Sequence, residues 1–236
     1  MNSKVCIALD FDSTAKVVEF LDSFPGGEKL LVKIGMEVFY GQGLEIIKTV
    51  KSYGHDIFLD LKLYDIPNTV KSAMSQLAKL DVDIVNVHAS GSIAMMKAAI
   101  EGLEEGKIKD KRPLCIAVTC LTSLSQEVLN KELLIDKTID ETVLQFAKNA
   151  KEAGLDGVVC SPLESKLIHD NLGLDFLTVT PGVRLKDDSI DDQQRVTTPS
   201  DARALTSSYI VVGRPITRAK DPYATYKKIV REFEGE

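Results

Sequence analysis

Eight short runs of apolar, β-type residues recur along the 236-residue chain, and each leads into a helical pattern or a turn that opens one. The runs are Val5 to Leu9, Leu30 to Ile34, Ile57 to Leu63, Ile84 to His88, Leu114 to Val118, Gly157 to Cys160, Phe176 to Val179 and Tyr209 to Val212. Most are continuously apolar rather than alternating, which suits parallel strands covered on both faces. Helices are expected over about Ala15 to Phe24, Gly43 to Tyr53, Ile66 to Ala78 and Ile139 to Ala153, with others ending near Leu103 and opening at Pro162 and Asp221-Pro222. Eight strand-then-helix units in this length predict a closed (β/α)8 barrel, read as one domain over residues 1–236. A doubly wound open sheet is the alternative.

Composition excludes several classes. At 44% hydrophobic and 27% charged the chain is ordinary globular material. A net charge of −6 without a long basic tract argues against a general nucleic-acid binder. A phosphorylated small molecule needs only local positive charge, so it stays open. No apolar run approaches the roughly 20 residues of a membrane span, and Met1 to Asp10 lacks a signal-peptide core. A soluble, cytoplasmic protein is expected. Cys6, Cys115, Cys120 and Cys160 are widely spaced with no C-x-x-C, and are read as buried free thiols. No H-x-H, H-E-x-x-H or carboxylate cluster calls for a metal.

A barrel directs attention to the carboxyl ends of its strands. Asp10, Lys33, Asp60, Lys62, His88, Thr122 and Arg214 fall there. Asp60 and Lys62 share a face if the third run is a regular strand. Asp65 follows, and Pro67 suits the first turn of a helix. An isolated D-x-K is usually a surface ion pair of little consequence. Lys33, however, interrupts an apolar strand, and lysine is rarely buried without a partner. An alternating Lys33–Asp60–Lys62 row is therefore expected. An ammonium fixed beside carboxylates stays protonated, stabilises a developing carbanion and can then protonate it.

The remaining polar positions are read individually. Asp10 alone serves equally as a turn or capping residue. His88 is a base or, preferably, a structural hydrogen-bonded histidine; His55 and His169 read as loop or helix-surface residues. Thr180 to Thr198 is a long polar loop carrying Arg184, Gln193 and Arg195. With Gly213-Arg214 it lies where barrels commonly bind phosphate.

D-L-K-L-Y-D-I-P-N-T (Asp60 to Thr69) resembles the most specific motif of the orotidine 5′-phosphate decarboxylase family. A-L-D at Asp10, V-K-I-G at Lys33, V-N-V-H-A at His88, V-T-x-L-T-S at Thr122, T-P-G-V-R at Arg184, D-D-Q-x-R at Gln193 and V-G-R-P-I at Arg214 extend the likeness over the whole chain. Ser92 stands where the family usually has a second glycine, and a helix is still expected to start there. The resemblance implies cofactor-free and metal-free decarboxylation, with Lys62 protonating C6 of the pyrimidine and Asp60 against the substrate carboxylate. Asp10 and Lys33 would hold ribose hydroxyls, Thr122 the base, and Gln193 base and phosphate together. Arg184, Gly213 and Arg214 would bind the phosphate. A homodimer is implied, with Asp65 and Thr69 reaching the neighbouring subunit's site. The alternative is a magnesium-dependent barrel relative such as 3-keto-L-gulonate 6-phosphate decarboxylase, which shares D-x-K-x-x-D but not the I-P-N-T continuation or the D-D-Q loop.

Overall fold

A computed structural model describes residues 3–185 and 197–235. Eight parallel strands close into a barrel in sequence order, β1 to β8, with β8 paired back onto β1. They are β1 (Val5–Ala8), β2 (Leu31–Gly35), β3 (Asp56–Leu63), β4 (Ile84–His88), β5 (Leu114–Val118), β6 (Gly157–Val159), β7 (Leu177–Thr180) and β8 (Tyr209–Val212). The expected strands are all present within a residue or two at their ends. Closure satisfies every strand's backbone without an edge, so the open-sheet alternative does not apply.

The continuous apolar character follows from two separate cores. Cys6, Ala8, Leu31, Phe58, Ile84, Ile116, Val179 and Val211 fill the barrel interior. The alternate residues, such as Ile7, Val32, Ile57 and Val85, face outward and pack against the helices. The helices are α1 (Thr14–Asp22), α2 (Met36–Gln42), α3 (Glu45–Ser52), α4 (Pro67–Ala78), α5 (Ser92–Gly106), α6 (Gln126–Lys131), α7 (Ile139–Glu152), α8 (Pro162–Leu172), α9 (Pro199–Ala204), α10 (Arg214–Thr217) and α11 (Pro222–Glu234). Helices α4 and α5 pack backbone to backbone. A side chain at Gly102 or Gly106 would collide with the backbone of Lys71 or Ser75 there.

One helix is added to the expected set, and two readings are corrected. The helix expected over Gly43 to Tyr53 is present as α3; an additional helix, α2, begins directly after β2, and Gly43, at φ +64, breaks the path between the two. His55 and His169 are not surface residues: they are 5% and 6% exposed. The His55 ring accepts the Leu30 N–H, and the His169 ring bonds the Thr206 hydroxyl and the Phe176 carbonyl. Helix-surface patterning does not reveal a ring turned inward toward a neighbouring loop. The four cysteines are buried and none is in a disulfide bond, as expected. Burial pushes the Cys115 thiol up to about 12, so it stays neutral.

Candidate active site

The end of β3 departs from a regular strand. Leu59 pairs with Val85, and the next pair is Leu63 with Val87, so β3 spends four residues where β4 spends two. Lys62, inside this bulge, has φ +53, left-handed backbone that a non-glycine residue rarely adopts. Its N–H is out of the ladder and donates instead to the Asn86 side-chain oxygen at 2.8 Å. Simple alternation therefore does not describe how Asp60 and Lys62 meet. The bend does: it returns the Lys62 ammonium to Asp60, with Nζ 2.7 Å from Oδ1.

From there the charges form a row across three strands. Asp60 Oδ2 lies 3.5 Å from Lys33 Nζ, and Lys33 Nζ lies 3.1 Å from Asp10 Oδ1. The expected chain is present, and Asp10 extends it by one member. The inner two side chains are the most enclosed, Lys33 at 13% and Asp60 at 11% exposure, against 57% for Asp10. Burial lowers the Lys33 pKa, but Asp60 and Asp10 outweigh it and hold the ammonium above the usual lysine value. Burial likewise favours a neutral Asp60, but Lys33 and Lys62, with hydrogen bonds from Lys62 and Asn86, keep its carboxyl below the usual carboxylate range. Both groups are thus charged at neutral pH.

Beside this row a cavity of about 590 Å³ opens at the barrel mouth. Asp10 and Lys33 line it together with Gly182, Arg184, Gly213 and Arg214. The lining thus joins part of the charge row to the side chains of Arg184 and Arg214, so the cavity suits a ligand that carries an anionic group. Lys16 and Arg218, not singled out from the sequence, line it as well. Arg218 lies four residues after Arg214, a spacing that marks a shared helical face.

The family model described as orotidine 5′-phosphate decarboxylase / HUMPS matches residues 3–229. The chain belongs to this family. A protein named orotidine 5′-phosphate decarboxylase from Bacillus mycoides is 57% identical over 236 residues, covering 100% of this chain and 99% of its own. A solved orotidine 5′-phosphate decarboxylase from Lactobacillus acidophilus is 44% identical with a TM-score of 0.88, over 98% of this chain and 99% of that one. An uncharacterized conserved protein from Geobacillus kaustophilus is 48% identical with a TM-score of 0.87, over 97% of this chain and 99% of that one.

The other family motifs sit around the same mouth. Asp65 and Thr69 are exposed, in the turn after β3 and on the first turn of α4. Asp65 accepts the Ile66 N–H at 2.6 Å. Neither Asp65 nor Thr69 is among the residues that line the cavity. Thr122 is half-buried in the loop after β5 and also lies outside that lining. Gln193 and Arg195 lie outside the described residues. Val183 and Thr197 bridge at the two ends of that loop, and the Arg184 N–H donates to the Thr197 carbonyl at 3.0 Å. Among the described residues the His88 ring makes no hydrogen bond; it meets Tyr64 edge-on at 6.0 Å, so the hydrogen-bonded role favoured from sequence gives way to an aromatic contact. Burial, and then Lys62, press its pKa below the usual histidine value. Asn86 was missed. Its only sequence signal is a polar residue inside V-N-V, which a buried strand does not explain.

Proposed function

We propose that this protein decarboxylates orotidine 5′-phosphate to UMP and CO2, without a cofactor. The observation that carries the reading is the alternating row Asp10–Lys33–Asp60–Lys62 at the carboxyl end of the barrel. The C6–carboxylate bond breaks, its electron pair remains on C6, and CO2 departs. Lys62 stabilises that negative charge and then delivers a proton to C6. Because Asp60 holds the ammonium in place before reaction, little reorganisation is needed as charge develops. Asp60 lies against the substrate carboxylate, and Asp10 and Lys33 take the ribose hydroxyls. Thr122 contacts the base, and Gln193 spans base and phosphate. Arg184, Gly213 and Arg214 receive the phosphate. Binding there, remote from C6, supplies energy for closure and orientation of the reacting ring.

The working unit in this reading is a cytoplasmic homodimer of single-domain subunits, each spanning residues 1–236. Exposed Tyr64 and Ile66 flank Asp65 at the barrel mouth, at 61% and 66% exposure, and apolar surface so placed favours cover by a second copy. Asp65 and Thr69, exposed in their own subunit, then complete the neighbour's site. Among the described residues no helix is long and apolar enough to cross a membrane, and no group of three metal-ligating side chains is found.

The test follows the absorbance of orotidine 5′-phosphate with purified protein in EDTA. Steady conversion to UMP is expected. Activity abolished by EDTA and restored by magnesium would favour the 3-keto-L-gulonate 6-phosphate decarboxylase type, and no conversion under any condition refutes the proposal.

A further inference from the structure

Asn86 is 1% exposed at the centre of β4, with its side chain inside the barrel. It makes two hydrogen bonds, both to the catalytic strand. Its oxygen accepts the Lys62 backbone N–H at 2.8 Å, and its Nδ2 donates to Asp60 Oδ1 at 2.6 Å. The amide fits only this way round, because a backbone N–H cannot accept and an ionised carboxylate cannot donate. Asp60 Oδ1 thus receives Asn86 and the Lys62 ammonium together, while Oδ2 is left facing Lys33.

We propose that Asn86 is a positioning residue for the decarboxylation, holding Lys62 in its left-handed bend and fixing the rotation of the Asp60 carboxylate. Two physical needs meet in this one side chain. The bulge removes the Lys62 N–H from the β3–β4 ladder, and a buried N–H without an acceptor destabilises the fold. A positive φ on a lysine persists only where its surroundings over-determine it. An apolar residue at position 86 would meet neither need, although the strand pattern invites one. The role is distinct from proton donation, since Asn86 does not titrate.

The proposal rests on the decarboxylase reading, and two readouts keep the two separable. Amide hydrogen exchange at Lys62 needs no turnover. It is expected to be slow in the parent and in Asn86→Asp, which keeps the acceptor, and fast in Asn86→Leu. Fast exchange in the parent overturns the clamp whatever the protein catalyses.

The second readout is kcat against pH, taken as the ratio of variant to parent. Asn86→Leu removes both bonds at similar volume, and displacement of a reacting group by about 1 Å costs on the order of 100-fold. That loss should fall in kcat, with KM moving less than about threefold because Asn86 bonds to none of the residues assigned to the phosphate. Asn86→Asp sets two carboxyls at hydrogen-bond distance, where they share a proton. Ionised, the new group has nothing to donate to Asp60; protonated, it donates as the amide did. The groups facing this pair are Lys62 and Asp60 on β3, Lys33 and through it Asp10, His88 on β4, and Cys6 on β1. Since the parent carries the same groups, the ratio cancels their titration.

The Asn86→Asp ratio is expected to climb by about tenfold per pH unit as pH falls through the shared-proton range. A ratio flat in pH, whether near one or uniformly low in folded protein, overturns the proposal, as does a kcat for Asn86→Leu within threefold of the parent. If Asn86→Leu fails to fold, the Asn86→Asp profile decides alone.

Discussion

Replacing Gly35 by alanine should damage the reaction while sparing the fold. Gly35 ends β2, two residues past Lys33, and its φ of −88 is open to alanine, so no backbone strain is introduced. The added Cβ would stand 2.9 Å from Lys33 Nζ and 3.3 Å from Asp10 Oδ1. Ordinary contact begins at 3.4 Å, so the ammonium must retreat by at least 3.4 − 2.9 = 0.5 Å. The tip of a lysine can yield, and the melting temperature should change by no more than about 3 °C, which is roughly 1 kcal/mol for a chain of this size. The same retreat misplaces a charge that both Asp60 and Asp10 position. If about 1 Å of misplacement costs on the order of 100-fold, half of it costs about tenfold, near 1.4 kcal/mol of barrier. The assay is kcat/KM for orotidine 5′-phosphate by absorbance, with a thermal melt on the same preparation. Activity within twofold of the parent, with the fold intact, would refute the claim that the Lys33 position matters at sub-ångström scale. A large fall in melting temperature would refute the claim that the lysine tip yields cheaply.

Lys62→Ala should keep nucleotide binding, measured with UMP, and lose CO2 release; undiminished turnover would falsify the assignment of the proton donor. Mixing Lys62→Ala with Asp65→Ala subunits should recover some activity, because one site of each mixed dimer has both residues, and none in verified mixed dimers speaks against a shared site. Ser92 begins α5 at φ 87 and ψ 160, a region essentially reserved for glycine and costing about 1–3 kcal/mol. Ser92→Gly should therefore stabilise the protein by about 1 kcal/mol after the added freedom of the unfolded chain is subtracted, and a lower melting temperature would contradict this. Burial lowers the pKa of His55, whose ring accepts the Leu30 N–H. The unfolded chain then binds the proton more readily, so stability is full at pH above the ordinary value of about 6.5 and declines as pH falls through it toward the lower folded value. His88 and His169 shift the same way, so His55→Gln should shallow that decline without abolishing it, as read by urea melts at two pH values.

The charge row was legible for a specific reason. Lys33 breaks an apolar strand, and burying an ammonium is unfavourable enough that a partner must exist. Arg184 and Arg214 stood out from other arginines because barrels place their sites at one end, and both line the cavity at that end. Asn86 was not, since nothing within V-N-V says which neighbouring backbone will lack an acceptor. The left-handed Lys62 was hidden too, because D-L-K reads as plain alternation. Ser92 was noticed as a departure from the family pattern, but its backbone angles could not be read from residue type.

By itself the sequence determined the number and order of strands, the helices of clear periodicity, and the list of charged groups at the barrel's mouth. Burial patterns and charge costs are properties of residue type and spacing, so they survive in one dimension. Only the tertiary structure decided which atoms face one another: that β3 slips by two residues against β4, that Asn86 fills the gap, that Asp60 divides its two oxygens between two lysines, and that His55 and His169 turn inward. Those outcomes depend on hydrogen-bond register between strands distant in the chain, which no local pattern encodes.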